Sequence, residues 1–368
     1  TLVKQDKERP AQIGGATYTL SGTFADGSGS KTLTSSASGA VAVTAQILAD
    51  NMTEYTLTET TPAKGYKANV LTDSYSDATL NSSAMMLKMD TTGQLHYASS
   101  AAGGWTSVTN NALSFVDSKN VLTIKKVLSD GTTPAVATFD ITPSNTTEQP
   151  DLYHFADGSK NTRIFYTDGT NGLYTFTGEL VADNSYTIRE LTPPAGYCGV
   201  SEFQITMKAD GTISMADLNN ISNPNESNNF TLTITDPQTH VLLTKTGTNG
   251  NLSGAVFTIQ PNQGGKFVDG NSEMIWDTSE NNAFNSTNFV AGQTYYFTET
   301  TAPAGYEKLP LVIFKNEYTA NFAVKMGLQG GLTLLMPDGA ATNPSYVTIV
   351  NTYGTNPSGP VRLTLAEK

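Results

Sequence analysis
The chain of 368 residues holds one cysteine, Cys198, and three histidines, His96, His154 and His240, set far apart. A lone thiol excludes an internal disulfide framework, and nothing at ligand spacing suggests a zinc site. Charge is scarce too, at 15% of residues against the usual quarter. That fits neither a disordered polyelectrolyte nor a coiled coil. Basic residues are the scarcer sign, 21 against 33 acidic, giving a net charge of −12. The basic face that phosphate binding requires is missing, so nucleic acid is not an expected partner. No apolar run reaches the ~18 residues of a membrane span, and no membrane insertion is expected within the chain. The start, Thr1-Leu2-Val3-Lys4, carries no basic-then-apolar leader and reads as a strand, which suggests an excised piece of something longer or a mature form. P-loop, paired-glycine dinucleotide, HExxH and EF-hand motifs are absent, so neither a cofactor nor a metal is expected. Asp168-Gly-Thr-Asn-Gly172 lacks the closing glutamate of a calcium loop and reads as a hairpin turn.

Thr, Ser and Asn fill the space left by charge, alongside 32 Gly and 16 Pro. β-branched and turn-forming residues in that abundance indicate strands and turns. A repeat organises them. Tyr55-Thr-Leu-Thr-Glu59-Thr-Thr-Pro62-Ala-Lys-Gly65-Tyr66 returns as Tyr186-Thr-Ile-Arg-Glu190-Leu-Thr-Pro193-Pro-Ala-Gly196-Tyr197 and as Tyr295-Tyr-Phe-Thr-Glu299-Thr-Thr-Ala-Pro303-Ala-Gly305-Tyr306. Each copy is an alternating strand running into a Pro/Gly turn. Upstream of each lies a small-then-aromatic strand, Ala16-Thr-Tyr18, Ala137-Thr-Phe139 and Ala255-Val-Phe257. Downstream of each lies a hairpin, Leu87-Lys-Met89, Ile205-Thr-Met207 and Val324-Lys-Met326 being its first strands. The landmarks divide the chain into 1–119, 120–239 and 240–358, with 359–368 as a linker or the first strand of a further unit. Units of about 120 residues can each bury a core, so they are beads on a string. The expected fold is all-β: three tandem antiparallel β-sandwiches, Ig-like, forming an elongated rod. Segments 72–83, 98–111 and 219–229 read as polar loops.

Each unit opens on a strand with a lysine: Leu2-Val-Lys4, Ile124-Lys-Lys126 and Leu243-Thr-Lys245. Each closes on a strand ending in an Asx residue: Phe115-Val-Asp117, Thr233-Ile-Thr-Asp236 and Thr348-Ile-Val-Asn351. Alternation can place the lysine on the apolar face, two residues after Leu2, Ile124 or Leu243, and puts Lys125 on the face opposite Lys126. Any one of these residues alone reads as a solvated charge or a turn former. A Lys, a Glu and an Asx in matching places three times over do not.

The Tyr-x-hydrophobic-x-Glu-Thr-x-x-Pro-x-Gly-Tyr motif, with a first-strand Lys and a last-strand Asn or Asp, resembles the Cna protein B-type domain. That family, also called SpaA-type or prealbumin-like, builds stalks and pilins of Gram-positive surface proteins. The resemblance implies an extracellular, cell wall-anchored location and partners among neighbouring domains or subunits of a surface fibre. It also implies spontaneous isopeptide bonds, Lys4–Asp117 with Glu59 as catalyst, Lys126–Asp236 with Glu190, and Lys245–Asn351 with Glu299. The physical chemistry agrees. Burial disfavours the charged form of an amine and of a carboxyl alike, which gives a nucleophile and a proton donor. Folding makes their condensation effectively unimolecular. Such a reaction is one self-modification, so no enzyme turnover is expected. Leu191 departs from the motif, where the other copies have Thr60 and Thr300.

A Tyr-Pro-Lys-Asn type pilin motif and a Leu-Pro-x-Thr-Gly sorting signal are both missing. A stalk excised from an adhesin is therefore the first reading, and a shaft pilin polymerised by sortase the second. A third is an adhesive module for a host glycan or matrix protein, with Trp105 and Trp276 as contacts; the alternative for both tryptophans is that they cap a core.

Overall fold
The computed structural model describes residues 2–6, 12–67, 84–98, 104–108, 113–216, 218, 220–222, 230–247, 250–279, 283–350 and 361–366. Among them every regular element is a β-strand. The strands alternate buried and outward residues, as in Leu2–Asp6 and Thr231–Thr235, because one face of each meets a core and the other meets solvent.

The elements form three successive units, each with its own core. Those cores centre on Tyr18, Tyr55 and Leu87, on Phe139, Tyr186 and Ile205, and on Phe257, Tyr295 and Val324. Each unit stacks two sheets, of three and six strands in the first unit, four and five in the second and five and five in the third. The larger sheet of the second unit runs in the order Arg163–Tyr166, Thr138–Pro143, Ser185–Thr192, Phe203–Met207 and Ile213–Met215, antiparallel throughout. The first and third units repeat it around Tyr55–Thr61 and Thr294–Thr301. The third adds a hairpin, Val312–Phe314 with Tyr318–Ala320, over a separate small cluster containing Tyr296 and Phe314.

The sheets that hold the first strand of each unit are not wholly antiparallel. Leu2–Asp6 lies parallel to Leu113–Asp117, and Val121–Val127 lies parallel to Thr231–Thr235. A parallel pair needs a long crossover, and here the rest of the unit supplies it. First and last strands therefore sit side by side.

In the third unit the strand beside Val241–Gly247 is Val361–Ala366, again parallel, with Val347–Val350 antiparallel on its far side. The expectation that 359–368 is a linker or opens a further unit is corrected: this strand is interior to the third sheet and buries Leu363 and Leu365 in the third core. The alternation Val361-Arg-Leu-Thr-Leu365 suits any half-buried strand, and the sequence alone does not say which sheet receives it. Of the two tryptophans, Trp276 is a core residue. It is fully buried on Met274–Asp277 and stacks on Phe257 at 5.0 Å, whereas Trp105 is half-buried with the Lys88 amine 4.5 Å from its ring. Asp168 makes the turn expected of it, its carboxylate accepting the N–H groups of Thr170, Asn171 and Leu173.

Candidate functional site
The parallel pairing sets up the site in the first two units. Lys4 stands opposite Phe115, so Asp117, two residues on, faces the same side. Lys126 stands opposite Ile234, so Asp236 takes the same relation to it. Tyr55–Thr61 and Ser185–Thr192 in the larger sheets present Glu59 and Glu190 across the core.

All six side chains are buried. Lys4 Nζ pairs with Asp117 Oδ1 and lies 2.8 Å from Glu59 Oε1. Lys126 Nζ pairs with Asp236 Oδ1 and lies 3.3 Å from Glu190 Oε1. Alternation resolves the choice of lysine in the second unit: Lys126 is fully buried, while Lys125 is on the opposite, half-buried face. In the third unit Lys245 and Glu299 are buried together, Nζ to Oε1 3.4 Å, with the Phe257 ring centroid 5.2 Å from the amine. Asn351 lies outside the described residues. The strand leading to it, Val347–Val350, pairs with Val361–Ala366 and not with the lysine strand. Lys245 stands opposite Leu365.

Burial sets the electrostatics. Glu59 is pushed up to about 7, first by burial and then by the nearby Asp117 charge, with Lys4 opposing. Asp236 is pushed up to about 8, again by burial and then by Glu190, with Lys126 opposing. Each of these carboxyls therefore holds a proton well above the ordinary carboxylate range, beside an amine and a second carboxyl. A dry carboxylic acid, an amine and a carboxyl in contact are the reactants and proton shuttle of an amide condensation.

The structure also supplies features that the sequence reading missed. The register of the glutamate-bearing sheet slips by one residue beside each glutamate, where Thr17/Tyr18, Thr138/Phe139 and Val256/Phe257 face it. The residue after the glutamate is the extra one, and a bulge of this kind re-aims its neighbours. Its hydroxyl, where it has one, ties the bulge down: Thr60 Oγ1 donates to the Thr17 carbonyl at 3.1 Å and Thr300 Oγ1 to that of Val256 at 3.1 Å. This is the physical role of the Thr in the motif, and Leu191 lacks it. The repeated Glu-Thr pair was a visible clue.

A second feature is backbone bracing. Glu190 Oε2 accepts the Val200 N–H at 3.0 Å and Glu299 Oε2 that of Leu309 at 2.8 Å, each ten residues downstream. Buried Asn321 joins the third site, its Oδ1 accepting the Glu299 N–H and its Nδ2 donating to the Leu309 carbonyl at 2.7 Å. In the first unit Tyr18, directly opposite Glu59, donates its hydroxyl to Oε1 at 3.4 Å; the residues there in the other units are Phe139 and Phe257.

A search of the curated proteins finds no match to the chain. Among solved structures, the pilus adhesin SpaC from Lactobacillus rhamnosus GG is similar at 18% identity and a TM-score of 0.31, over 99% of this chain and 43% of that one. The chain thus spans less than half of that relative's length. A streptococcal ancillary pilin is similar at 15% identity and a TM-score of 0.29, over 93% of this chain and 96% of that one. The shaft pilin spaA from Lactobacillus rhamnosus GG is similar at 15% identity and a TM-score of 0.23, over 68% and 98%. The family model of the SpaA prealbumin-like fold domain matches residues 120–221 and 239–325, together more than half of the chain. The chain belongs to the SpaA family of prealbumin-like fold domains.

Proposed function
We propose that the chain is a structural stalk segment of a Gram-positive surface adhesin or pilus protein, extracellular and joined to neighbouring domains or subunits of a fibre, whose units cross-link themselves. The observation that carries this reading is the buried Lys–Asp–Glu cluster, built twice on a parallel pair of first and last strands.

In the first unit the neutral Lys4 amine attacks the Asp117 carboxyl carbon. A C–N bond forms, a C–O bond breaks and one water leaves. Glu59 hydrogen-bonds the carbonyl oxygen as charge develops there, takes a proton from Nζ and returns it to the departing hydroxyl. Lys126, Asp236 and Glu190 do the same in the second unit. Water is excluded from both sites, and folding holds the reactants in contact, so one slow condensation proceeds without an external catalyst. The product links the two terminal strands of a unit, so a pull on the chain passes through the amide and not through the sheets. No reductant cuts it.

In the third unit the bond would join Lys245 to Asn351, with Glu299 as catalyst. It would release ammonia. The intact mass of the denatured chain tests all three bonds. A deficit of two waters is expected from the first two units, and an additional ammonia would add the third. A chain with no deficit would overturn the cross-linking reading and leave a plain β-sandwich stalk.

A further inference from the structure
A second repeated turn, independent of the cross-links, lies where the units meet. Phe24-Ala-Asp-Gly27, Phe155-Ala-Asp-Gly158 and Phe267-Val-Asp-Gly270 are the same turn three times. In each the Phe is buried, the glycine N–H donates to the Phe carbonyl at 2.8–2.9 Å, and the glycine has positive φ, 79°, 83° and 84°. The residue after the Phe stands at the tip: Ala25, Ala156 and Val268.

Two of these tips touch the preceding unit, and both touch it at the same place. A Cβ on Gly65 would lie 3.2 Å from Ala156 Cβ and would collide with the Gly178 carbonyl oxygen; one on Gly196 would lie 3.1 Å from Val268 Cγ2. Gly65 and Gly196 belong to the Pro/Gly turn that follows each site glutamate. Both are buried, and both have φ of 84°, so they need glycine for conformation and for close approach. Their carbonyls also receive the linker, Asn120 N–H to Gly65 O and Thr239 N–H to Gly196 O, each 2.8 Å. The linker side chains are buried and reach into the next unit, Asn120 Nδ2 donating to the Leu180 carbonyl at 2.9 Å and Thr239 Oγ1 to that of Phe289 at 2.8 Å.

The third turn is built in the same way. Gly305 has φ of 88°, and the Tyr306 N–H donates to the Pro303 carbonyl at 3.1 Å, as Tyr197 donates to Pro194 at 3.0 Å. Yet Gly305 is exposed, and nothing among the described residues lies within 4 Å of where its Cβ would be. Ala25, the tip of the first unit, is exposed too.

We propose that the Gly305 turn is a docking face for another unit of this fold, which seats the tip of its own Phe-x-Asp-Gly turn on Gly305. The occupant follows from continuity with the two junctions inside the chain: a small aliphatic tip and backbone, recognised by shape and not by charge. Such a contact is heterologous, one kind of surface meeting another, and so it extends an array. Ala25 of a second copy of this chain is a ready probe.

The test places a spin label at Ala25→Cys on one population of intact chain and reads amide line broadening on a second, isotope-labelled population at high concentration. Cys198 is buried and stays unlabelled in the folded protein. The same label at Thr132→Cys, an exposed site in the second unit, sets the level for random encounters. Broadening from the Ala25 label is expected to be several-fold stronger at Ala304, Gly305 and Tyr306 than that background, and to vanish when Gly305→Val fills the face of the observed chain. Broadening at those amides no stronger than from the Thr132 label, or spread evenly over the surface, would overturn the proposal. The cross-links are read separately by mass, so a failure of either idea is recognised on its own.

Discussion

Replacing Glu59 by Gln isolates the first cross-link. The substitution keeps the size of the side chain and leaves Lys4 paired with Asp117, so the fold keeps its buried contacts while losing the proton shuttle. The bond closes a loop spanning 113 residues. Treated like a disulfide, loop closure of that length stabilises by about 5 kcal/mol through the unfolded state. For a unit of about 120 residues, each kcal/mol moves the unfolding midpoint by roughly 3–6 °C, so Glu59→Gln lowers the midpoint of the first unit by roughly 15–30 °C. Calorimetry of the intact chain reads this as one displaced transition, with the other units unmoved. Peptide mass mapping of the same sample shows the water retained between Lys4 and Asp117. A Glu59→Gln chain that still loses that water refutes the catalytic role of Glu59. A midpoint shift below roughly 5 °C refutes the loop-closure reasoning.

Four further outcomes are expected. Chain recovered unfolded and refolded over a pH series should close the first bond less readily as pH rises through about 7, where Glu59 loses its proton, and the second less readily through about 8, where Asp236 does, as read by peptide mass. The sign follows from the raised carboxyls: neutral forms are favoured in the folded, unlinked unit, so the stability they contribute is complete below the ordinary carboxylate range and is lost as pH rises through those values. Tyr18→Phe removes a donor to the Glu59 carboxylate, so the upper pH limit of the first bond should move up while the second stays put; folding survives because Phe139 and Phe257 occupy the same position. The titratable groups facing Glu59 among the described residues are Lys4, Tyr18 and Asp117. Thr239→Val leaves the carbonyl of Phe289 without its buried donor, at a cost of about 1–3 kcal/mol, and should speed hydrogen exchange at Gly196 and Tyr197 relative to the junction at Gly65. Leu363→Asp puts a carboxylate into the third core and should lower the unfolding midpoint of the third unit while leaving the other two transitions in place, as read by calorimetry.

Much of the site was legible because three copies were present. One buried lysine on a strand is indistinguishable in sequence from a solvated one, but Lys4, Lys126 and Lys245 each follow an apolar residue by two positions and each precede a Glu-Pro-Gly-Tyr motif. Strand periodicity of two carries that much, since facing is a local property. The bulge beside each glutamate left only an indirect trace, in Thr60 and Thr300, because slippage depends on what the neighbouring strand presents. The Val200 and Leu309 amides left none, since every residue but proline offers the same N–H.

The strands, the threefold repeat, the all-β class and the residue types that could meet were all legible in the chain before any fold was known. Those follow from alternation, turn chemistry and recurrence, all of which are local or self-referential. Which strand lies beside which emerges in three dimensions alone. Parallel pairing of chain segments more than a hundred residues apart is set by the packing of two sheets on a shared core and by no local preference. For that reason Asp117 and Asp236 stand against their lysines, while Val361–Ala366 takes the matching place beside Lys245.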